Sequence, residues 1–226
     1  MALDTLQFKS KAQAVCELIR QRILDFHYVP GQALLIDGLA RELGVSKIPI
    51  REAIKQLEAE RLVEVVLHVG ARVAPISVSQ AEQIYPIRHA LGDLGVRLAV
   101  DRLDDATLGY LEDLQCQMEE STRARDTATV DRLNRAFHLR IVEASGNPEL
   151  YQLYRDLMHR CSRFRAGVTL GQRRAIAVMA EHRAILGALR SRDVVSAVRA
   201  SNEHERRSAE EIVHQMRLKE MARDAG

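Results

Sequence analysis

The chain has no tryptophan, and aromatic residues make up only 4% of its 226 positions. Sheet-built cores draw on aromatic and β-branched side chains, so this poverty points to helices packed through Ala, Leu and Val. Cysteine is scarce and odd in number: Cys16, Cys116 and Cys161 lie far apart and form no CxxC pair. That excludes a disulfide framework and a thiolate zinc site, and it fits a reducing compartment, the cytoplasm. Cys116 and Cys161 read as packed small apolar residues. No run of 18 apolar residues occurs, and the opening MALDTLQFKSKAQ lacks the apolar core of a signal peptide, so neither a membrane span nor secretion is expected. A dominant charge is also missing, because 33 Lys and Arg face 31 Asp and Glu. Any nucleic-acid binding must therefore come from local charge placement. What is abundant is apolar residues, at 46%, enough for a buried core.

The pattern changes near residue 75. Before it come a helix over roughly Lys9–Phe26, the turn signal YVPG, a short helix near Asp37–Leu43 closed by Gly44, and a third helix from about Ser46 to Glu60 with Pro49 in its first turn. Two β-rich runs follow, Leu62–Leu67 and Ala71–Ile76, joined by HVG (His68–Gly70). Helix, helix–turn–helix and hairpin is the order of a winged helix-turn-helix, placed at residues 1–76. From 79 to 219 the pattern is helical, with helices near 79–102, 105–124, 127–145, 148–168, 174–190 and 193–219 and short breaks such as SGNPE. Pro86 should kink the first of them. The expected fold is mainly α, with an N-terminal winged helix-turn-helix and a C-terminal antiparallel helical bundle.

In the segment Gly38–Glu64, Ile50, Ala53, Ile54 and Leu57 share the inner face of the third helix, while Lys47, Arg51, Lys55 and Gln56 face outward. Arg and Lys donate to guanine edges in a major groove, and a helix N-terminus near Ser46 accepts a phosphate. His68 and Arg72, on the expected wing, are placed to reach the neighbouring backbone or minor groove. Residues 1–76 carry ten Lys and Arg against nine Asp and Glu, so charge alone does not separate a DNA-reading helix from a solvated one.

The run LARELGVSKIPIREAIKQLEAERLV resembles the N-terminal domain of the GntR family of bacterial transcription regulators, whose pattern is roughly LAxxLGVSRTPVREALxxLExEGLV. The resemblance implies DNA binding. Three positions depart from the pattern. Lys47 replaces an Arg and loses its bidentate fork, Ile48 replaces a Thr that would bond phosphate, and Arg61 replaces a Gly, so the turn there lacks glycine's easy positive φ.

The helical region holds three histidines beside apolar stripes: His138 in LNRAFHLRIV, one turn after Asn134; His182 in AEHRAILGALRSRD; and His204 in ASNEHERRSAEEI. Each alone reads equally as a hydrogen-bonded or surface histidine, and spacing does not show whether separate helices bring the three together. The same segments resemble the FCD ligand-sensing domain, with NRAFH for its DxxFH motif, EHRAILGAL for EHxxIxxAL, and a last-helix histidine. The resemblance implies a divalent metal, zinc or nickel, on His138, His182 and His204 at the base of an effector cavity. Asn134 stands where Asp is usual. An amide oxygen is a weaker, neutral ligand, so metal affinity should fall and attraction for an anionic effector should rise. Arg88, with Tyr85 beside it, falls where the family commonly points an Arg into the cavity, a clamp for an effector carboxylate. Gly92 stands where that family pattern has Glu. His89, His159 and His214 show no motif.

The reading is a ligand-responsive repressor, a cytoplasmic homodimer on a pseudo-palindromic operator, with a small carboxylate as effector. A metal-free sensor of acyl thioesters on the same fold is the alternative. A metal-dependent hydrolase is the remote one, since three histidines also make a catalytic zinc site. It would need Glu181 as a base, yet neighbouring helix positions point about 100° apart, and no HExxH motif is present.

Overall fold

A computed structural model describes residues 10–66, 70–165, 168 and 171–224. The chain divides into two compact units, Met1–Pro75 and Ile76–Gly226.

In the first unit, helix α1 (Lys11–Leu24) opens on a capping box: the Ser10 hydroxyl accepts from the Gln13 amide while the Gln13 side chain accepts from the Ser10 amide. Helix α2 (Ile36–Leu43) closes on Gly44, left-handed at φ 63°. Helix α3 (Lys47–Ala59) follows after a three-residue connection. A three-stranded antiparallel sheet has the order β1–β3–β2, with β1 Ala33–Leu34, β2 Val63–Val66 and β3 Gly70–Val73. The register pairs Val63 with Val73 and Ala33 with Arg72. Ile19, Ile50, Leu57, Leu62 and Val73 are fully enclosed and form the centre of the core.

Several details differ from the sequence expectation. The two-residue strand β1 was not expected, because so short a run carries no alternation. Strand β3 stops short of the β-rich run Ala71–Ile76: pairing ends at Val73, and the Ala74 amide donates to the Leu62 carbonyl at 2.9 Å instead. Arg61 makes the turn after α3 at φ 57°, a left-handed conformation that glycine would adopt at less cost. The expected wing residue His68 lies outside the described residues.

Among the described residues the second unit is a bundle of six helices: α4 (Val78–Ala99), α5 (Asp105–Ala124), α6 (Thr127–Glu143), α7 (Pro148–Ser162), α8 (Gln172–Arg190) and α9 (Val194–Asp224). Ser77, Asp104, Asp126 and Asn147 cap four of the N-termini through their side chains, and Pro148 follows Asn147 at a position where a missing N–H costs nothing. Helix α4 continues through Pro86, whose side chain is exposed. Helix α7 stops six residues before the expected 168 and tightens into a 3-10 turn, Arg163–Arg165. The Ser162 hydroxyl donates back to the Met158 carbonyl at 2.9 Å, a bond that competes with regular helix geometry. Helix α9 runs five residues past the expected end. Cys161 is buried as expected, whereas Cys116 is exposed, on the outward side of α5 from its buried neighbour Gln115. Leu111, Phe137, Ile185, Leu189 and Ala197 fill the core, and α9 packs on both α4 and α8. Among the described residues no helix is long and apolar enough to cross a membrane.

Candidate metal centre and effector cavity

Each of three helices spends one position of its buried stripe on a histidine. On α6 the stripe runs through Leu133, Phe137, His138 and Ile141; on α8 through Val178, His182, Ile185 and Leu189; on α9 through Ala197, Ser201, His204, Ala209 and Ile212. The fold brings all three imidazoles to one point. The Nε2 atoms of His138 and His204 lie 3.2 Å apart, those of His182 and His204 3.3 Å apart, and donor atoms of all three lie within 4.8 Å of one another. Phe137 stacks on the His182 ring at 4.6 Å and meets the His138 ring edge-on at 5.4 Å, fixing both.

The protonation pattern favours ligation. Burial pushes the His138 imidazole down to about 3 and His182 well below the usual histidine range, with His204 adding to both shifts. Both rings are therefore neutral. The Nδ1 of His204 lies 2.8 Å from the Glu181 carboxylate. Burial alone would raise the Glu181 carboxyl, but hydrogen bonds from His204 and Arg174 outweigh it and hold it at about 2. An ionised carboxylate only accepts, so His204 Nδ1 carries a proton and donates to Glu181, leaving Nε2 toward the other rings. Arg174 grips Glu181 with two bonds, of 2.8 and 3.1 Å, and also donates to the Ser208 hydroxyl. Glu181 therefore serves the cluster from behind through His204, and it is not placed as a general base.

The donor set fits a divalent ion. Nitrogen ligands at about 2.0–2.1 Å from zinc lie roughly 2.8–3.4 Å apart at octahedral to tetrahedral angles, which brackets the two Nε2 separations. The Nδ1 of His182 has no hydrogen-bond partner among the described residues.

The cluster borders a cavity of about 40 Å³, lined among others by Tyr85, Arg88, Asn134, Arg135, His138, Arg165 and His204. Asn134 thus joins the site, half-buried, one turn before His138. Tyr85 is buried and its hydroxyl has no partner among the described residues; burial raises its phenol, which stays protonated as a donor. Arg88 also faces the cavity, 5.0 Å above the Tyr85 ring, and it already holds a carboxylate of this chain. Its Nη2 donates to the buried Glu205 carboxylate at 3.2 Å, and Tyr154 donates to the other Glu205 oxygen at 2.8 Å. The Arg88 Nη1 lies 3.9 Å from the Met158 sulfur. Sequence reasoning missed Glu205. The signal was Gly92: a Cβ there would stand 3.2 Å from Glu205 Oε1 and 3.3 Å from the Tyr154 ring, so the missing side chain makes room for a carboxylate arriving from α9. His89, on α4, lies 3.5 Å from the same carboxylate.

In the first unit, Arg51, Lys55 and Gln56 are exposed along α3, opposite the buried Ile50, Ala53, Ile54 and Leu57. Lys47 is exposed but bridges to Asp37 at 2.9 Å, and Arg72 pairs with Glu64 across the hairpin. The Ser46 hydroxyl caps no amide of α3. Ile48 is 68% exposed in the first turn of α3.

Comparison with known proteins fits both units. Residues 11–73 match the family model described as bacterial regulatory proteins, gntR family, and residues 83–207 match the FCD domain. The uncharacterized HTH-type transcriptional regulator YdhC of Bacillus subtilis is 30% identical over 87% of this chain and 88% of its own. The HTH-type transcriptional repressor GlaR of Escherichia coli is 30% identical over 65% of this chain and 69% of its own. The structure of E. coli McbR/YncC superposes with a TM-score of 0.84 over 91% of this chain and 98% of that one, at 22% identity. These relatives are transcriptional regulators and not enzymes. The chain is a DNA-binding transcriptional regulator and belongs to the GntR family, in the branch whose second domain is an FCD domain.

Proposed function

We propose that the protein is a ligand-responsive repressor, in which the helical unit at 79–219 holds a divalent metal and a small carboxylate and thereby sets the grip of the winged unit at 1–76 on its operator. The observation that carries the sensing half is the convergence of three buried imidazoles on a cavity edged with arginines. His138, His182 and His204 would hold the ion, with Asn134 as a fourth, neutral donor; zinc or nickel suits nitrogen ligands. When bound, such an ion supplies a Lewis-acidic attraction for a carboxylate. Because every donor is neutral, the ion's charge is left uncompensated, which favours an anionic effector. The Tyr85 hydroxyl and the Nη1 edge of Arg88 are positioned to receive its oxygens.

The DNA-reading half rests on the exposed Arg51 and Lys55 of α3, with Lys47, Ser46, Arg72 and His68 as supporting contacts to bases or phosphates. Its match to the gntR model supports this reading, and the repressor assignment follows GlaR. A homodimer on a pseudo-palindromic operator is supported by an apolar surface on adjacent helices: Ile87 and Leu94 of α4 and Leu153 of α7 are 55%, 41% and 56% exposed. A cytoplasmic location goes with a DNA partner. The effector acts by binding one arrangement of the dimer better than another.

The test combines three measurements. Duplex DNA selected from a random pool should be retarded by the wild type, and Arg51→Ala should lose that binding; no binding at low salt overturns the DNA-reading half. Zinc or nickel should raise the melting temperature of chelator-stripped protein, and an unchanged melting temperature with both metals overturns the metal half. Asn134→Asp should raise metal affinity; equal affinities remove residue 134 from the ligand set.

A further inference from the structure

The 40 Å³ cavity at the histidines holds no more than a few water molecules. A second pocket of about 480 Å³ adjoins it, within the range of small-molecule sites. Asp131, Asn134, Arg165 and Val178 line both spaces and form their common wall, where Arg165 pairs with Asp131 at 2.6 Å. The larger pocket is walled by Val130, Val168, Ala175 and Met179. Thr122, 7% exposed, also lines it, and its hydroxyl has no hydrogen-bond partner among the described residues. A polar group left unpaired at that depth is costly unless something arrives to bond it.

We infer that the effector is amphipathic: a carboxylic acid whose head lies in the histidine cavity and whose apolar body extends past the Asp131–Arg165 pair into the 480 Å³ pocket. This rests on the carboxylate reading above and adds the rest of the molecule. A small hydroxy acid would fill the first space and leave the apolar wall of the second in water. A hydrocarbon body buries that wall, and an oxygen part-way along it would satisfy Thr122.

The experiment is calorimetric titration of the full-length protein, zinc-loaded and chelator-stripped, with straight-chain monocarboxylates from acetate to octanoate. Affinity should rise roughly fourfold per added methylene until the pocket is full. Ala175→Phe or Val130→Phe, each filling the pocket from a different helix, should lower the octanoate-to-acetate affinity ratio at least tenfold. Acids that bind with no dependence on chain length overturn the amphipathic effector and leave the carboxylate reading standing. A chain-length dependence untouched by both substitutions puts the body elsewhere and also overturns it. If no acid of any length binds, with or without zinc, both readings fall.

Discussion

Glu181 touches no open face of the histidine cluster, yet it decides which nitrogen of His204 carries the proton. Replacing it by Gln removes the charge and the preference for accepting from Nδ1. Glu181→Gln is expected to weaken zinc binding by about 10- to 100-fold, the usual cost of losing a partner that orients a ligand. Competition against a chromophoric chelator measures this, and an unchanged constant would show that the Glu181–His204 contact does not serve the metal. The three histidines stood out in the sequence because each lies beside an apolar stripe in a segment that resembles an FCD motif. Glu205 did not, because a glutamate directly after a histidine reads as surface. Its burial depends on space vacated at Gly92 on another helix, and a glycine in one helix does not say which residue of a distant helix fills the space. Arg88 stood out only through the resemblance, and its counter-ion, that same Glu205, was invisible for this reason.

The helices themselves follow from residues close in sequence. Apolar spacing sets their faces, and Ser77, Asp104, Asp126 and Asn147 set their starts, so element number and order in the bundle were legible. Ends governed by tertiary contacts or by side-chain competition were not, as the early stop of α7 at Ser162 shows. How closely two helices approach was also hidden. Helix α4 lies against α6 through Gly95, where a Cβ would stand 2.8 Å from Val142 Cγ2 and 3.2 Å from Cγ1. A branched side chain in a packed interface has little room to give. Gly95→Ala is expected to destabilise the helical unit by about 1–3 kcal/mol through overpacking, despite alanine's better helix propensity. Urea unfolding checks the sign, and pairing the substitution with Val142→Ala should recover part of the loss.

At the scale of the whole molecule, the buried imidazoles couple stability to acidity. His138 and His182 have pKa values below the ordinary value of 6.5, so the unfolded chain binds more protons than the folded one as pH falls through that value. Stability contributed by the neutral rings is complete above about pH 6.5 and is lost progressively toward about pH 3. Glu181 adds a loss in the same direction between its ordinary range and about 2. Chelator-stripped protein should therefore unfold at lower urea concentration at pH 5.5 than at pH 7.5, and an unchanged midpoint would contradict neutral burial of the rings. The two-unit organisation confines this effect: the winged unit has its own core and none of these three histidines. The cluster has one more consequence. Its members come from α6, α8 and α9, and His204 follows His138 by 66 positions. No nascent chain contains the site until α9 has left the ribosome and docked. Any ion held by all three is acquired by the folded helical unit, and its occupancy records the metal supply that unit meets.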